Sequence, residues 1–377
     1  MTRTPLARPL LLPGLARLWR DRHTLQLGID PSRAVLLEVA DPATARLLDL
    51  LDGTRSERAI LDQAAKIKIA RDDARTLIDT LRAAGLVVGA HTLLPATLAE
   101  PARQRLGAEA AALALRSPDS PGTPAQILRR RAAARVVVTG PGRLAAPVAV
   151  ALAQAGVGHV QPDLRGRVEP AELVGGGLIA ADIGTPRSKA VAGAILRGAP
   201  GTVTRPVPRD RVDLVLQIGL DRPAALIAAG YAQRRQAYLL LDLRDGTAVV
   251  GPLVPGGGSP CLNCLDLHRQ DRDPAWPELA AQLASAARQE PGSAPTLFAA
   301  VGYAAAEALT FLDGGRPETV GAAVEITDPA RIRRRVWPPH PACDCTRRRR
   351  NRAEPLVNGT GEAVERTAEW ADQRQSR

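Results

Sequence analysis

Four cysteines, placed as two close pairs, constrain this chain more than any other feature. Cys261-Leu-Asn-Cys264 is a C-x-x-C pair and Cys343-Asp-Cys345 a C-x-C pair, and together they are every cysteine in the 377 residues. Two thiolates on one turn can bite two corners of a tetrahedron, so two such pairs fit one zinc ion. Pro260 and Pro341 precede the pairs and favour tight turns there. Two local disulfides, a redox pair or unrelated buried thiols are the competing readings. A C-x-C disulfide is strained, and a reducing compartment disfavours both bridges. Structural zinc is therefore the expectation, with distant parts of the chain meeting at the metal. Thiolates held by zinc are not free nucleophiles, so cysteine-thioester chemistry is not expected.

The region before the cysteines divides in two. Residues 1–19 read as a flexible lead-in. Residues 20–95 contain β-like runs at 24–30 and 34–40 around a Pro31-Ser32 turn, then helical stretches near 43–51, 56–67 and 71–84. In the last, Ala74, Leu77, Ile78 and Leu81 share a helical face and Gly85 is the stop. Leu86-Val87-Val88 reads as a returning strand. Hairpin, three helices and strand predict a small winged-helix-like α+β module. Residues 96–130 read as a linker, clearest at Ser117-Pro118-Asp119-Ser120-Pro121-Gly122.

From 131 to 346 the rhythm changes to strand, turn, helix. Strands are expected at 135–139, 159–164, 212–218 and 237–243, with helices at 147–155 and 188–196. This alternation predicts a parallel sheet covered by helices, an α/β Rossmann-like unit. Gly140-Pro-Gly142-Arg-Leu-Ala145 sits between the first strand and its helix, where backbone N–H groups and a helix N-terminus can cradle phosphate. Asp163 lies where a carboxylate would reach a ribose hydroxyl. The motif is incomplete, because Ala145 stands at the third glycine position; a purely structural turn is the competing reading. His268, His340, Asp266, Asp271 and Asp273 cluster near the cysteines and are expected to brace them or to form salt bridges, with catalysis as the competing reading.

The net charge of +11 raises nucleic acid as a partner, but the basic residues are almost all arginine, as in a coding bias. Lys66, Lys68 and Lys189 are the only lysines. One basic cluster spans Arg331, Arg333–Arg335 and Arg347–Arg350, at the start of a charged tail (347–377) that reads as disordered. The apolar window 295–312 carries Glu307 and reads as a buried helix, and no export signal is recognised. A cytoplasmic protein, not membrane-bound, is expected.

In this order the motifs resemble those of ThiF-type (ubiquitin-activating-enzyme-like) proteins. The resemblance rests on the glycine turn, Ala155-Gly156-Val157-Gly158, Asp163, Asp182-Ile183-Gly184-Thr185-Pro186-Arg187 and the paired cysteines. Val250-Gly-Pro-Leu-Val-Pro-Gly256, Pro260–Arg269 and Asp271-Arg-Asp-Pro-Ala-Trp-Pro277 look like the branch linked to thiazole/oxazole-modified peptides, in which a leader-peptide-binding module precedes the ThiF-like domain. The resemblance implies a zinc staple and, in active members, adenylation of a peptide C-terminus by Mg-ATP. It implies that Gly140 and Gly142 face the phosphates, that Asp163 meets the ribose, and that Arg187 replaces a phosphate-binding lysine. Arg143 and Ala145 depart from the family's G-x-G-G-x-G. Gln217-Ile218-Gly219 stands where an Asp-Asn pair is expected, so Mg-ATP binding in the family's manner is in doubt.

The leading expectation is a non-catalytic partner that captures a peptide by strand addition and presents it to a cyclodehydratase of the YcaO type. An ATP-dependent adenylyltransferase is the enzymatic alternative. A winged-helix DNA-binding regulator is the third reading, weakened because helix 71–84 mixes Arg71, Arg75 and Arg82 with Asp72, Asp73 and Asp79. A homodimer remains open.

Overall fold

A computed structural model describes residues 5–31, 34–39, 45–115, 122–258, 260–285 and 290–345. The tail from 347, and all but the last residue of the Ser117–Gly122 segment, lie outside these residues.

In the N-terminal module β1 (Pro9–Leu11), β2 (Arg17–Trp19), β3 (Thr24–Leu27) and β4 (Val35–Glu38) precede α1 (Leu47–Leu50), α2 (Glu57–Lys66), α3 (Arg71–Ala83), β5 (Val87–Gly89) and α4 (Ala90–Leu93). The Ser56 hydroxyl accepts the Ala59 N–H and starts α2. Ala74, Ile78 and Leu81 of α3 are buried against Leu25, Leu27 and Leu37 of the strands. The expected hairpin is present, but two expectations are corrected. The lead-in carries two strands: β2 adds to the hairpin in the order β2-β3-β4, and β1 pairs with β5. The returning strand thus joins the lead-in, because β1 offers β5 a partner and buries Leu11 in the same core.

The expected linker is also corrected. It contains α5 (Glu100–Leu115) and α6 (Pro124–Ala133), the latter opened by a Thr123–Gln126 capping box. Leu106, Ala110 and Leu113 of α5 and Ile127 and Leu128 of α6 bury a shared core with Leu12 and Leu93. That apolar stripe needs a partner, and the two helices supply it to each other.

The α/β unit is built on β6 (Arg135–Thr139), α7 (Ala145–Gln154), β7 (His159–Asp163), α8 (Arg187–Gly198), β8 (Leu214–Ile218), α9 (Ala224–Gln233) and β9 (Tyr238–Arg244). It continues through β10 (Thr247–Val254), α10 (Leu262–Gln270), α11 (Trp276–Ser285), α12 (Ala294–Leu312), β11 (Ala322–Asp328) and β12 (Arg331–Val336). The seven-stranded sheet has the order β12-β11-β10-β9-β8-β6-β7. Pairing is parallel from β7 through β9 and antiparallel from β9 through β12. Three of the four parallel strands were legible as apolar runs and β7 from its place after α7; the antiparallel extension was not.

Alternate residues of β9 face opposite ways. Leu239, Leu241 and Leu243 join the core under α7, α8 and α12, whereas Tyr238 and Leu240 join the one under α9 and α10. Helix α12 is long and apolar enough to cross a membrane by composition. It instead packs on α7, β10 and β11, with Glu307 buried and accepting from the Glu318 and Thr319 N–H groups.

Candidate functional site

Strand order places a crevice at one end of the sheet. The chain leaves β6 toward β7 and leaves β8 toward β9, and ligands bind where such connections diverge, outside the carboxyl ends of the strands. The glycine turn lies at this point. Gly140 has φ +103°, and a Cβ there would meet the Ile218 carbonyl oxygen at 2.1 Å. Gly142 has φ +125°. Only glycine lets the turn run this close to β8. Asp163 ends β7 in register with Thr139, exposed at the rim where the resemblance puts the ribose.

Three neighbours of the turn depart from that expectation. The Glu290 carboxylate fills the space on the Gly142 face, and the Arg143 N–H donates to it at 2.9 Å. A Cβ on Gly142 would stand 2.9 and 3.0 Å from its two oxygens. Arg187 begins α8, but its guanidinium is held by Glu172 at 2.7 Å, by the Arg167 carbonyl at 2.9 Å and by the Arg165 carbonyl. The Glu172 hydrogen bonds raise its pKa further. Gln217, near the position where the family has an acid, is buried; it donates to the Gly219 carbonyl and accepts from the Tyr231 hydroxyl at 2.7 Å. The structure therefore brings Gly140, Gly142 and Asp163 to the crevice, while Arg187 serves an internal ion pair. As they stand, these side chains do not fit a nucleoside triphosphate, because the Glu290 carboxylate fills the face of the turn where the resemblance puts the phosphates.

Sequence reading missed Glu290 and Asp242. Asp242 is buried at the end of the parallel run of β9, 3.8 Å from where a Gly219 Cβ would sit. Arg244 donates to it at 2.5 Å. An acid in an otherwise apolar strand was the available signal for Asp242; Glu290 carried none.

The cysteines lie on the other side of the sheet from α7, in the core under α9 and α10. Cys261 caps the start of α10, and Tyr238 anchors that start by accepting the Leu262 N–H at 3.2 Å. All four sulfurs lie within 4.8 Å of one another, and none is in a disulfide. The Cys261–Cys343 and Cys264–Cys345 separations are 3.6 and 3.3 Å. Zinc at ~2.3 Å from each sulfur needs about 3.8 Å between sulfurs, close to this spacing. The crowding is electrostatically uneven: the Cys264 and Cys343 neighbours push the Cys261 thiol up, while hydrogen bonding with Cys261 and Cys264 lowers Cys343 to about 6. This buried all-sulfur set fits a soft metal such as zinc.

The neighbouring histidines brace the second pair. The His340 Nδ1 accepts the Ala342 N–H, so its Nε2 carries the proton toward Asp271 at 2.9 Å. Its carbonyl accepts the Cys343 N–H at 3.0 Å, and His268 donates to the Pro338 carbonyl at 2.9 Å. Asp266 pairs with Arg269, and Asp273 accepts the Ala275 N–H. In the N-terminal module β4 is an edge strand with Leu36 exposed and Leu37 and Val39 buried. Only one face of the strand, that of Leu37 and Val39, joins the core built with α1–α3. On α3, Arg71 pairs with Asp62 and Arg75 with Asp72.

No described protein family matches this sequence, and no curated protein does. Solved structures do match. MccB of E. coli with MccA-N7isoASN superposes at TM-score 0.61 and 15% identity, covering 90% of this chain and 99% of that one. The chain has the Rossmann-like fold of MccB. The ATP complex of MccB gives TM-score 0.61 at 16% identity, covering 89% and 99% of the two chains. PaaA gives 0.59 at 15%, covering 86% and 98%. The MccB likeness runs through the N-terminal module as well as the α/β unit.

Proposed function

We propose that the protein is an ATP-dependent adenylyltransferase of the ThiF type that acts on the carboxyl end of a peptide. The observation that carries this reading is the end-to-end match to MccB, a microcin C7 biosynthetic enzyme solved with N-formylated MccA and with ATP. The crevice keeps the frame such a site needs, with a glycine turn at the divergence of the strands, Asp163 at the rim and the buried Asp242 carboxylate near Gly219, and ATP would require the Glu290 carboxylate to leave the turn. The peptide would enter as a further strand on the edge of the winged-helix-like N-terminal module, where main-chain groups supply affinity. Zinc on Cys261, Cys264, Cys343 and Cys345 would tie α10 to the segment after β12 and take no part in chemistry.

A second reading is supported by the side chains at the turn. Gln217 in place of an acid, Arg187 bound to Glu172, and Glu290 against Gly142 suit a protein that presents a peptide to a separate cyclodehydratase without using ATP itself. Peptide-dependent exchange between ATP and pyrophosphate distinguishes the two. Exchange that is lost in Asp163→Ala establishes the enzyme; peptide binding without exchange establishes the presenter.

A further inference from the structure

The Gly140–Leu144 turn offers N–H groups and the N-terminus of α7 to an anion, and this chain supplies the anion itself. Both Glu290 oxygens lie against the Gly142 face, and one accepts the Arg143 N–H at 2.9 Å. The contact is reciprocal. The Arg143 guanidinium donates to the Glu290 carbonyl at 2.9 Å and to the Gly292 carbonyl at 3.3 Å, and its Nε donates to the Ala171 carbonyl at 3.0 Å. Main chain thus holds side chain, and side chain holds main chain. Arg143 stands where ThiF-type members have glycine, and its added side chain holds the main chain of Glu290 and Gly292, which keeps the carboxylate near the turn.

We infer that Glu290 is an internal competitor for the phosphate-binding turn, so that a polyphosphate binds only when the Glu290 carboxylate leaves. The inference rests on the nucleotide reading of the turn and adds its regulation. A carboxylate and a phosphate cannot share this space, and two like charges a few ångströms apart repel strongly in a partly buried site. Displacing Glu290 would free the Arg143 N–H for the incoming anion. The Arg143 guanidinium would still hold the Glu290 and Gly292 carbonyls, so the side chain can swing away while the approach to the Ser293 cap of α12 stays in place.

The test compares full-length wild type with Glu290→Ala and Glu290→Gln, titrating ATP and, separately, inorganic tripolyphosphate, by calorimetry. Both variants should bind each probe at least tenfold more tightly than wild type. Tripolyphosphate shows that the gain belongs to the phosphate cradle and not to the adenosine. Glu290→Gln keeps the size and most of the packing, so it serves if the alanine variant loses its fold, and melting curves check both. Equal affinity in all three proteins, or no binding in any, overturns the inference. Tighter binding without pyrophosphate exchange supports the competitor while removing the enzyme reading. Exchange by wild type with unchanged affinity in the variants does the reverse.

Discussion

Arg131 and Asp313 meet in a two-pronged ion pair, Nε and Nη2 each reaching one carboxylate oxygen at 2.8 and 2.7 Å, with the arginine fully buried. Arg131 also donates to Glu109 at 2.7 Å and to the Ala155 carbonyl at 3.1 Å. One guanidinium therefore fastens α5, α6, the end of α7 and the end of α12. Burial disfavours the charge, but the Asp313 and Glu109 hydrogen bonds outweigh it and raise the pKa. Replacing Arg131 with methionine should leave Asp313 charged, buried and unpaired, costing about 3–5 kcal/mol. Urea unfolding of the two proteins checks this; a loss below about 1 kcal/mol would show that the pair is dispensable.

The purified protein should carry one zinc per chain. Cys264→Ser should lower metal content and melting temperature together, because metal binding and folding share the same free energy. Elemental analysis alongside thermal melting reads both. Metal-free protein that melts unchanged would remove zinc from the structure.

Burial pushes the Tyr231 hydroxyl, bonded to Gln217, from 10.0 up to about 12. The folded state then holds the proton more tightly than the unfolded chain. The resulting stabilisation is complete below pH 10 and is lost as pH rises through 12, about 3 kcal/mol in all. Tyr231→Phe should flatten the fall in denaturation midpoint over that window. Tyr238, also raised by burial, leaves a residual slope. An unchanged slope in the variant would place the titration elsewhere.

Peptide capture and DNA binding differ in salt dependence. Main-chain hydrogen bonding to the β4 edge should change little between low and moderate salt. Binding to DNA should fall with a log–log slope near −0.9 per phosphate contacted. A peptide bound by the full-length protein should dissociate more readily from Leu36→Pro, which removes a backbone donor from the edge strand. Fluorescence anisotropy at two salt concentrations measures both effects, and steep salt sensitivity with duplex DNA would favour the regulator.

Local pattern made much of this protein legible in its sequence. The strands at 135–139, 214–218 and 238–244 were visible as β-branched or leucine-rich runs, the one at 159–163 from its place in the strand, turn, helix rhythm, and α3 as an apolar stripe ended by Gly85. The cysteine pairs were visible because ligand spacing within one turn is a local property. Tertiary structure alone decided the rest, since the deciding partners are far apart in the chain. Whether residues 9–19 fold depends on β3 and β5 offering free edges, and whether 100–133 is linker or helix pair depends on a stripe finding its mate. The turn at Gly140–Leu144 shows the same division. Its glycines give the turn a backbone geometry suited to an anion, but an acidic residue nearly 150 positions later packs against it. Sequence spacing specifies which groups share a turn; only packing specifies which distant carboxylate enters it.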